Sequence, residues 1–170
     1  EEKQLTQDGA EKCVNGESSV GMEDTLLWSG DSQYLLFAQL DRRETKTRHY
    51  INYAPLDGSL EAELVESTWS YGDESIGGWR LLVVNVSTGE TQKANYPVIP
   101  EIVCGIHTSG FLTAGLAWWS ADNQRVLFVD SPRDVRTVRV LEWDTLSGST
   151  RVMFEEADDI AVRLRHDITS

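Results

Sequence analysis

The sequence predicts an all-β fold of repeated four-stranded antiparallel meanders, on three observations. First, Leu27-Trp28-Ser29-Gly30-Asp31-Ser32-Gln33-Tyr34-Leu35-Leu36-Phe37 returns as Trp118-Trp119-Ser120-Ala121-Asp122-Asn123-Gln124-Arg125-Val126-Leu127-Phe128. In both copies apolar runs flank a short Asp/Ser/Asn cluster, the pattern of two strands joined by a tight turn. Second, Leu82 to Thr91 matches Val140 to Thr150: an outward strand, a turn closed by glycine, and a returning strand. Third, the block 111–156 fits the period of roughly 40 to 50 residues expected of a propeller blade. Together these predict a partial β-propeller, about two complete four-stranded antiparallel blades plus flanking partial blades. The turn chemistry agrees: Asp accepts backbone N–H groups two residues on, and Ser or Asn tolerates the unusual φ that follows.

Taken in order, residues 1–24 read as the end of a preceding blade and a connector. They are polar and glycine-punctuated, with apolar handholds at Leu5 and Cys13-Val14, and Gln4 to Gly9 has the character of a closing strand and exit turn. Residues 25–94 read as a blade, with strands at Thr25–Ser29, Tyr34–Leu40, Trp79–Val86 and Thr91–Ala94. A long insertion, 41–78, interrupts it; there Arg48 to Ala54 suits a hairpin, and Glu61 to Glu66 reads as one helical turn or a loop rim. Pro97 and Pro100 mark 95–110 as a linker, because proline cannot donate to a central ladder. Residues 111–156 form the second blade, with strands at Phe111–Ser120, Arg125–Asp130, Arg136–Asp144 and Thr150–Glu155. The alternation Ile160-Ala161-Val162-Arg163-Leu164 makes 157–170 the start of a next blade. Such a set is too small for a ring of the usual four to eight blades. Its edges are expected to be covered by the rest of a longer polypeptide, by a second copy or by strand exchange.

Composition narrows the function classes. The chain has 170 residues, 40% of them hydrophobic, and a formal charge of −13. That acidity argues against a nucleic-acid partner, which requires a basic face. No run approaches the roughly 20 apolar residues of a membrane span, and no secretory leader opens the chain. Because the first residue is Glu, a fragment or a processed product is expected. Either a cytoplasmic or a periplasmic setting is compatible with this composition. Cys13 and Cys104 are too few for a disulfide framework and lack metal-site spacing; they read as plain buried or half-buried thiols.

The order of motifs resembles the amino-terminal propeller of the prolyl oligopeptidase superfamily, in particular the dipeptidyl peptidase IV-like branch. The resemblance rests on Trp28-Ser29-Gly30-Asp31, then Tyr34-Leu35-Leu36-Phe37-Ala38-Gln39-Leu40-Asp41 with its long excursion, then Leu82-Val83-Val84-Asn85-Val86-Ser87-Thr88-Gly89-Glu90-Thr91. It covers roughly residues 25 to 165, with the Trp118 to Glu156 motif as the next blade. It implies a non-catalytic segment of a serine peptidase that gates peptide access and makes domain or subunit contacts. The implied partners are a carboxy-terminal α/β-hydrolase domain of the same polypeptide and the parent enzyme's peptide substrate, with room for a homo-oligomer. The branch's Asp-Trp-x-Tyr-Glu-Glu segment, which holds the substrate amino terminus, has no counterpart here. Gly16-Glu17-Ser18 at the comparable position and Glu155-Glu156 at a blade end therefore receive no amine-binding role. The alternative is a TolB-like propeller scaffold, built on the same turns and binding a protein or peptide partner.

No catalytic, cofactor-binding or metal site is assigned from sequence. Gly16-Glu17-Ser18-Ser19-Val20-Gly21 approaches a nucleophile elbow, but Ser18 lacks the second glycine and Ser19 the first. His49, His107 and His166 share no metal-site or catalytic spacing. Glu155, Glu156, Asp158 and Asp159 lack the glycine and ligand order of a calcium loop. Trp28, Trp119 and Trp143 fall at repeated strand positions and are expected to pack between blades. Trp69 and Trp79 flank the insertion and are the expected exposed contacts.

Overall fold

Each copy of the Trp-Ser-x-Asp repeat closes a β-hairpin, and the hairpins extend into two antiparallel sheets. The computed structural model describes residues 2–16, 26–56, 58, 61–67, 77–100, 102–103, 106–107, 115–160 and 162. The first sheet has a meander of β2 (Leu26–Trp28), β3 (Tyr34–Asp41), β6 (Gly78–Asn85) and β7 (Thr91–Lys93). The second is a meander of β11 (Ala117–Trp119), β12 (Arg125–Asp130), β13 (Thr137–Asp144) and β14 (Thr150–Ala157). No helix occurs among the described residues. The strands of both repeats fall where the sequence places them, to within a residue or two at most ends. Thr25 and residues 111–114 lie outside the described residues.

Three stretches are organised differently from expectation. β1 (Cys13–Asn15) pairs with Asp41, Leu40 and Gln39 of β3, along the same edge where β2 pairs with Phe37, Leu36 and Leu35. The 1–24 region thus adds a strand to the first sheet. The acidic stretch expected as a helical turn or rim is instead a strand, β5 (Glu63–Ser67), paired with β4 (Arg48–Asn52). The cross-strand pairs Tyr50 with Val65 and Ile51 with Leu64 outweigh the helix preference of glutamates. The 95–110 linker is not free of strand: β8 (Ile99–Pro100) pairs with Trp79 and Gly78 at the end of β6, and β9 (Ile102–Val103) pairs with β10 (Ile106–His107).

The main core is the seam between the sheets. Leu36, Leu40, Trp79, Leu81 and Val83 of the first sheet share it with Val126, Phe128, Leu141 and Trp143 of the second. On the opposite face of the first sheet, Leu35, Phe37, Leu82 and Val84 form a smaller cluster covered by Leu5 and Val86. β3 and β6 are therefore buried on both faces, which explains why Tyr34 to Leu40 and Leu81 to Val86 are almost continuously apolar rather than alternating.

Gly78 is required by a close approach. A Cβ there would fall on the Ile99 carbonyl oxygen of the paired strand β8 and on the Val98 side chain. Gly78→Ala is expected to destabilise the chain by about 1–3 kcal/mol through overpacking. The urea midpoint measures this, and an unchanged midpoint would contradict the β6–β8 pairing.

Candidate functional site

The two repeated turns touch one another. In each, an aspartate organises the loop: Asp31 takes hydrogen bonds from the Ser29 hydroxyl at 2.6 Å and the Gln33 amide at 3.1 Å. Asp122 takes the equivalent pair from Ser120 at 2.5 Å and Gln124 at 3.1 Å. These bonds hold both carboxyls below the usual range, the serine hydroxyl contributing most. Ser32 and Asn123 follow at φ 59°, the left-handed position anticipated from their residue types. The Asn123 side-chain oxygen then accepts the Gly30 amide at 2.7 Å. Proline at position 30, common in such turns, has no N–H and would abolish this contact.

A second contact fixes the sheets edge to edge. The Trp119 indole N–H donates to the Leu27 carbonyl at 3.1 Å, and its ring lies 6.3 Å from that of Tyr34. Where the chain crosses between sheets, the Asn95 amide donates to the Gly148 carbonyl at 2.9 Å, and the Thr150 hydroxyl to the Asn95 carbonyl at 3.0 Å. Tyr96 follows, its hydroxyl 2.6 Å from Asp130, its ring edge-on to Phe128. Arg139 lies 3.6 Å from Asp130 and 2.6 Å from Glu155. Burial, the hydrogen bond to Asp130 and that carboxylate's charge push the Tyr96 phenol up to about 12, with Arg139 opposing. Tyr96 stays a protonated donor through the neutral range. Sequence reasoning missed this chain of contacts, because its members lie on four separate segments.

The insertion leaves the first sheet through a charged neck. Asp41, the last residue of β3, is held by Arg43 at 2.7 Å and Arg80 at 3.1 Å. Its pKa is lowered to about 2, chiefly by the Arg43 guanidinium, with the Arg43 amide and the charge of Arg80 adding and partial burial opposing. Beyond the neck, the β4–β5 hairpin presents Tyr50, Ile51, Tyr53 and Leu64 to solvent.

The residues singled out from sequence are not brought together. Ser18, Ser19, His166, Trp69 and Cys104 lie outside the described residues, as does the His107 side chain. His49 faces Glu66 across the hairpin at 3.6 Å. Glu155 is engaged by Arg139, while Asp158 caps its own turn by accepting the Ile160 amide at 2.8 Å. Among the described residues no three His, Cys, Asp or Glu side chains could share a metal ion. Cys13 is a buried free thiol.

Two tryptophan expectations are corrected. Trp79, expected as an exposed contact, is fully buried in the seam, because its strand position rather than the adjoining insertion decides its environment. Trp28, expected to pack between blades, is 55% exposed; the second sheet packs on the face that carries Leu36 and Trp79. Trp143 is fully buried and Trp119 partly so, as their repeat positions suggested.

A family model described as the dipeptidyl peptidase IV (DPP IV) N-terminal region matches residues 1–170. Comparison with curated protein sequences finds no match. Among solved structures, a protein described as a dipeptidyl aminopeptidase IV from Bacteroides ovatus ATCC 8483 is 16% identical with a TM-score of 0.68. The match covers 95% of this chain and 22% of that one. Porphyromonas gingivalis dipeptidyl peptidase 4 is 14% identical with a TM-score of 0.65, over 92% of this chain and 22% of that one. The chain thus spans about a fifth of the length of each structure, and at these identities the likeness shows the fold.

The Asp41 neck and the Tyr96 contact have opposite pH signatures. An unfolded aspartate titrates near about 3.9, so the stabilisation from Asp41 is complete above that value and is lost as pH falls through about 2. Asp41→Asn is expected to flatten this acid limb of a melting-temperature profile; an identical limb in the variant would refute the clamp. Tyr96 behaves conversely: its stabilisation is complete below about 10 and is lost as pH rises through about 12. Spectrophotometric titration of tyrosinate should show one tyrosine at about 12, absent in Tyr96→Phe. Equal curves for the two proteins would count against the Asp130 contact.

Proposed function

The chain belongs to the dipeptidyl peptidase IV N-terminal region family, and on that premise we propose that it is a non-catalytic propeller segment of a dipeptidyl peptidase IV-like serine peptidase, gating peptide access to a carboxy-terminal α/β-hydrolase domain of the same polypeptide. The observation that carries this reading is the family match across residues 1–170. The geometry supports a wall rather than a reaction centre. Two sheets are locked by an apolar seam, a turn-to-turn hydrogen bond and the Tyr96 crossing. A rigid sheet wall discriminates by size, because an unfolded short peptide bends past a rim that a folded substrate cannot cross.

The β4–β5 hairpin supplies the domain or subunit contact in this proposal. A lone two-stranded hairpin is marginal in water, and Tyr50, Ile51 and Leu64 lie exposed on it. Contact with the hydrolase domain or with a second subunit buries them.

The test uses the natural polypeptide that carries this chain, with and without a short Gly-Ser bridge in place of 43–76. The expected outcome is peptidase activity in both, with the rate on long peptides rising severalfold relative to short ones once the hairpin is gone. An unchanged ratio would sink the gating role of the insertion. Serine-inhibitor-sensitive cleavage by the 170-residue chain alone would sink the non-catalytic assignment. A polypeptide without peptidase activity that still binds peptide would return the scaffold reading.

A further inference from the structure

Two pairs of the type Asx-Gly lie close together near the start of the chain, Asp8-Gly9 and Asn15-Gly16. A glycine after asparagine leaves the side-chain carbonyl carbon open to the following backbone nitrogen, because no Cβ stands in the way. Reaction requires that nitrogen to turn onto the side chain, within roughly 3–3.5 Å of the carbon it attacks.

The fold ties the two pairs to each other. The Asn15 amide nitrogen donates to the Asp8 carboxylate at 2.7 Å and to the Thr6 hydroxyl at 3.3 Å, and its oxygen accepts the Gln39 amide at 2.9 Å. Gln39, 3% exposed on β3, also donates to the second Asp8 oxygen at 3.1 Å. The bond from Asn15 does most to hold the Asp8 carboxyl below its usual range, with Gln39 adding and partial burial opposing. The backbone is tied as well. Asn15 pairs with Gln39 in the ladder, and the Gly16 amide, at φ 67°, donates to the Ala38 carbonyl at 2.9 Å. In the folded chain the nitrogen and the side chain that would react are therefore each engaged with β3 or with Asp8. That engagement rests on β1, a strand of three residues at the edge of the first sheet. Such short edge elements open locally at far lower cost than the whole domain.

We propose that Asn15 is a site of spontaneous, irreversible deamidation, gated by the lock that Asp8, Asn15 and Gln39 form against the first sheet. When β1 lifts, the Gly16 nitrogen bonds to the Asn15 side-chain carbonyl carbon. The side-chain nitrogen leaves as ammonia, carrying the Gly16 amide proton. Water then opens the five-membered imide at one of its two carbonyls, giving aspartate or isoaspartate, with no change of oxidation state. Neither product rebuilds the lock. A carboxylate at position 15 has no N–H to give Asp8 or Thr6, and it sets two like charges against each other across a single glutamine amide. Isoaspartate also lengthens the backbone by one carbon, which breaks the register of β1 against Asp41, Leu40 and Gln39. Conversion thus frees residues 6–15 from the first sheet for the remaining life of the molecule. The inference does not depend on the peptidase reading, so a failed activity assay leaves it standing.

The test is ageing of the natural full-length polypeptide in neutral buffer, folded and denatured, with peptide mass mapping of amide-to-acid conversion at Asn15. Conversion is expected in both samples, slower by about tenfold or more in the folded one. Asp8→Ala removes the lock from its exposed side; it should raise the folded rate severalfold and leave the denatured rate unchanged. Asn15→Asp, which mimics the product, should speed amide exchange of residues 13–16 by about tenfold while β12 keeps its protection. Three results would each overturn the proposal: no conversion in the denatured polypeptide, equal folded and denatured rates, or an Asp8→Ala rate equal to that of the parent. Parental exchange at 13–16 in Asn15→Asp would overturn the release of the segment.

Discussion

Everything else in the chain depends on the apolar seam in which Trp79 and Leu36 of one sheet meet Trp143 and Phe128 of the other. An antiparallel four-stranded sheet can form its hydrogen bonds alone, but it keeps a unique geometry only when a face is buried against something. The two tryptophans show how strongly burial dominates here. Both indole N–H groups are buried without a hydrogen-bond partner among the described residues, an orphaned donor costing about 1–3 kcal/mol. Removing roughly 150–250 Å2 of each ring from water returns about 4–6 kcal/mol. The difference favours the buried ring, so the seam accepts two orphaned donors.

The polar contacts orient what the seam brings together. Gly30 and Asn123 show this best, because each departs from the usual residue of its turn and the departures fit one another. Glycine in place of proline leaves an N–H free, and asparagine in place of glycine supplies the oxygen that takes it, at the same left-handed φ. Proline at position 30, or a side chain without an acceptor at position 123, removes this contact. Trp119 and Tyr96 act similarly at the inner edge and at the crossing, so the sheets are fixed at three separated points and cannot slide along the seam.

How much of this was legible in the sequence follows from the range of the interactions involved. The hairpins were legible, because Ser, Asp and Asn act on their own backbone within two or three residues. The burial of β3 and β6 on both faces was written in their unbroken apolar runs. The β4–β5 pairing was half legible: Arg48 to Ala54 suited a hairpin, but the partner strand carries two glutamates, Glu63 and Glu66, and the cross-strand contacts that override them lie outside any local window. Trp28 and Trp79 were misjudged because their surroundings depend on which face the second sheet covers, a choice that no strand pattern states. The Tyr96, Asp130, Arg139 and Glu155 contacts were invisible for the same reason, being set by tertiary placement alone.

The charged groups obey the same rule of fixed geometry. Among the described residues, Asp31, Asp41 and Asp122 are held below the usual carboxylate range and Tyr96 is pushed up, all away from neutrality. Each shift has a structural partner that makes the group a better permanent acceptor or donor across the neutral range. Charge in this chain therefore serves to hold geometry, at the turns, at the neck of the insertion and at the crossing between sheets. Two sheets whose polar groups keep one protonation state hold their shape across the neutral range.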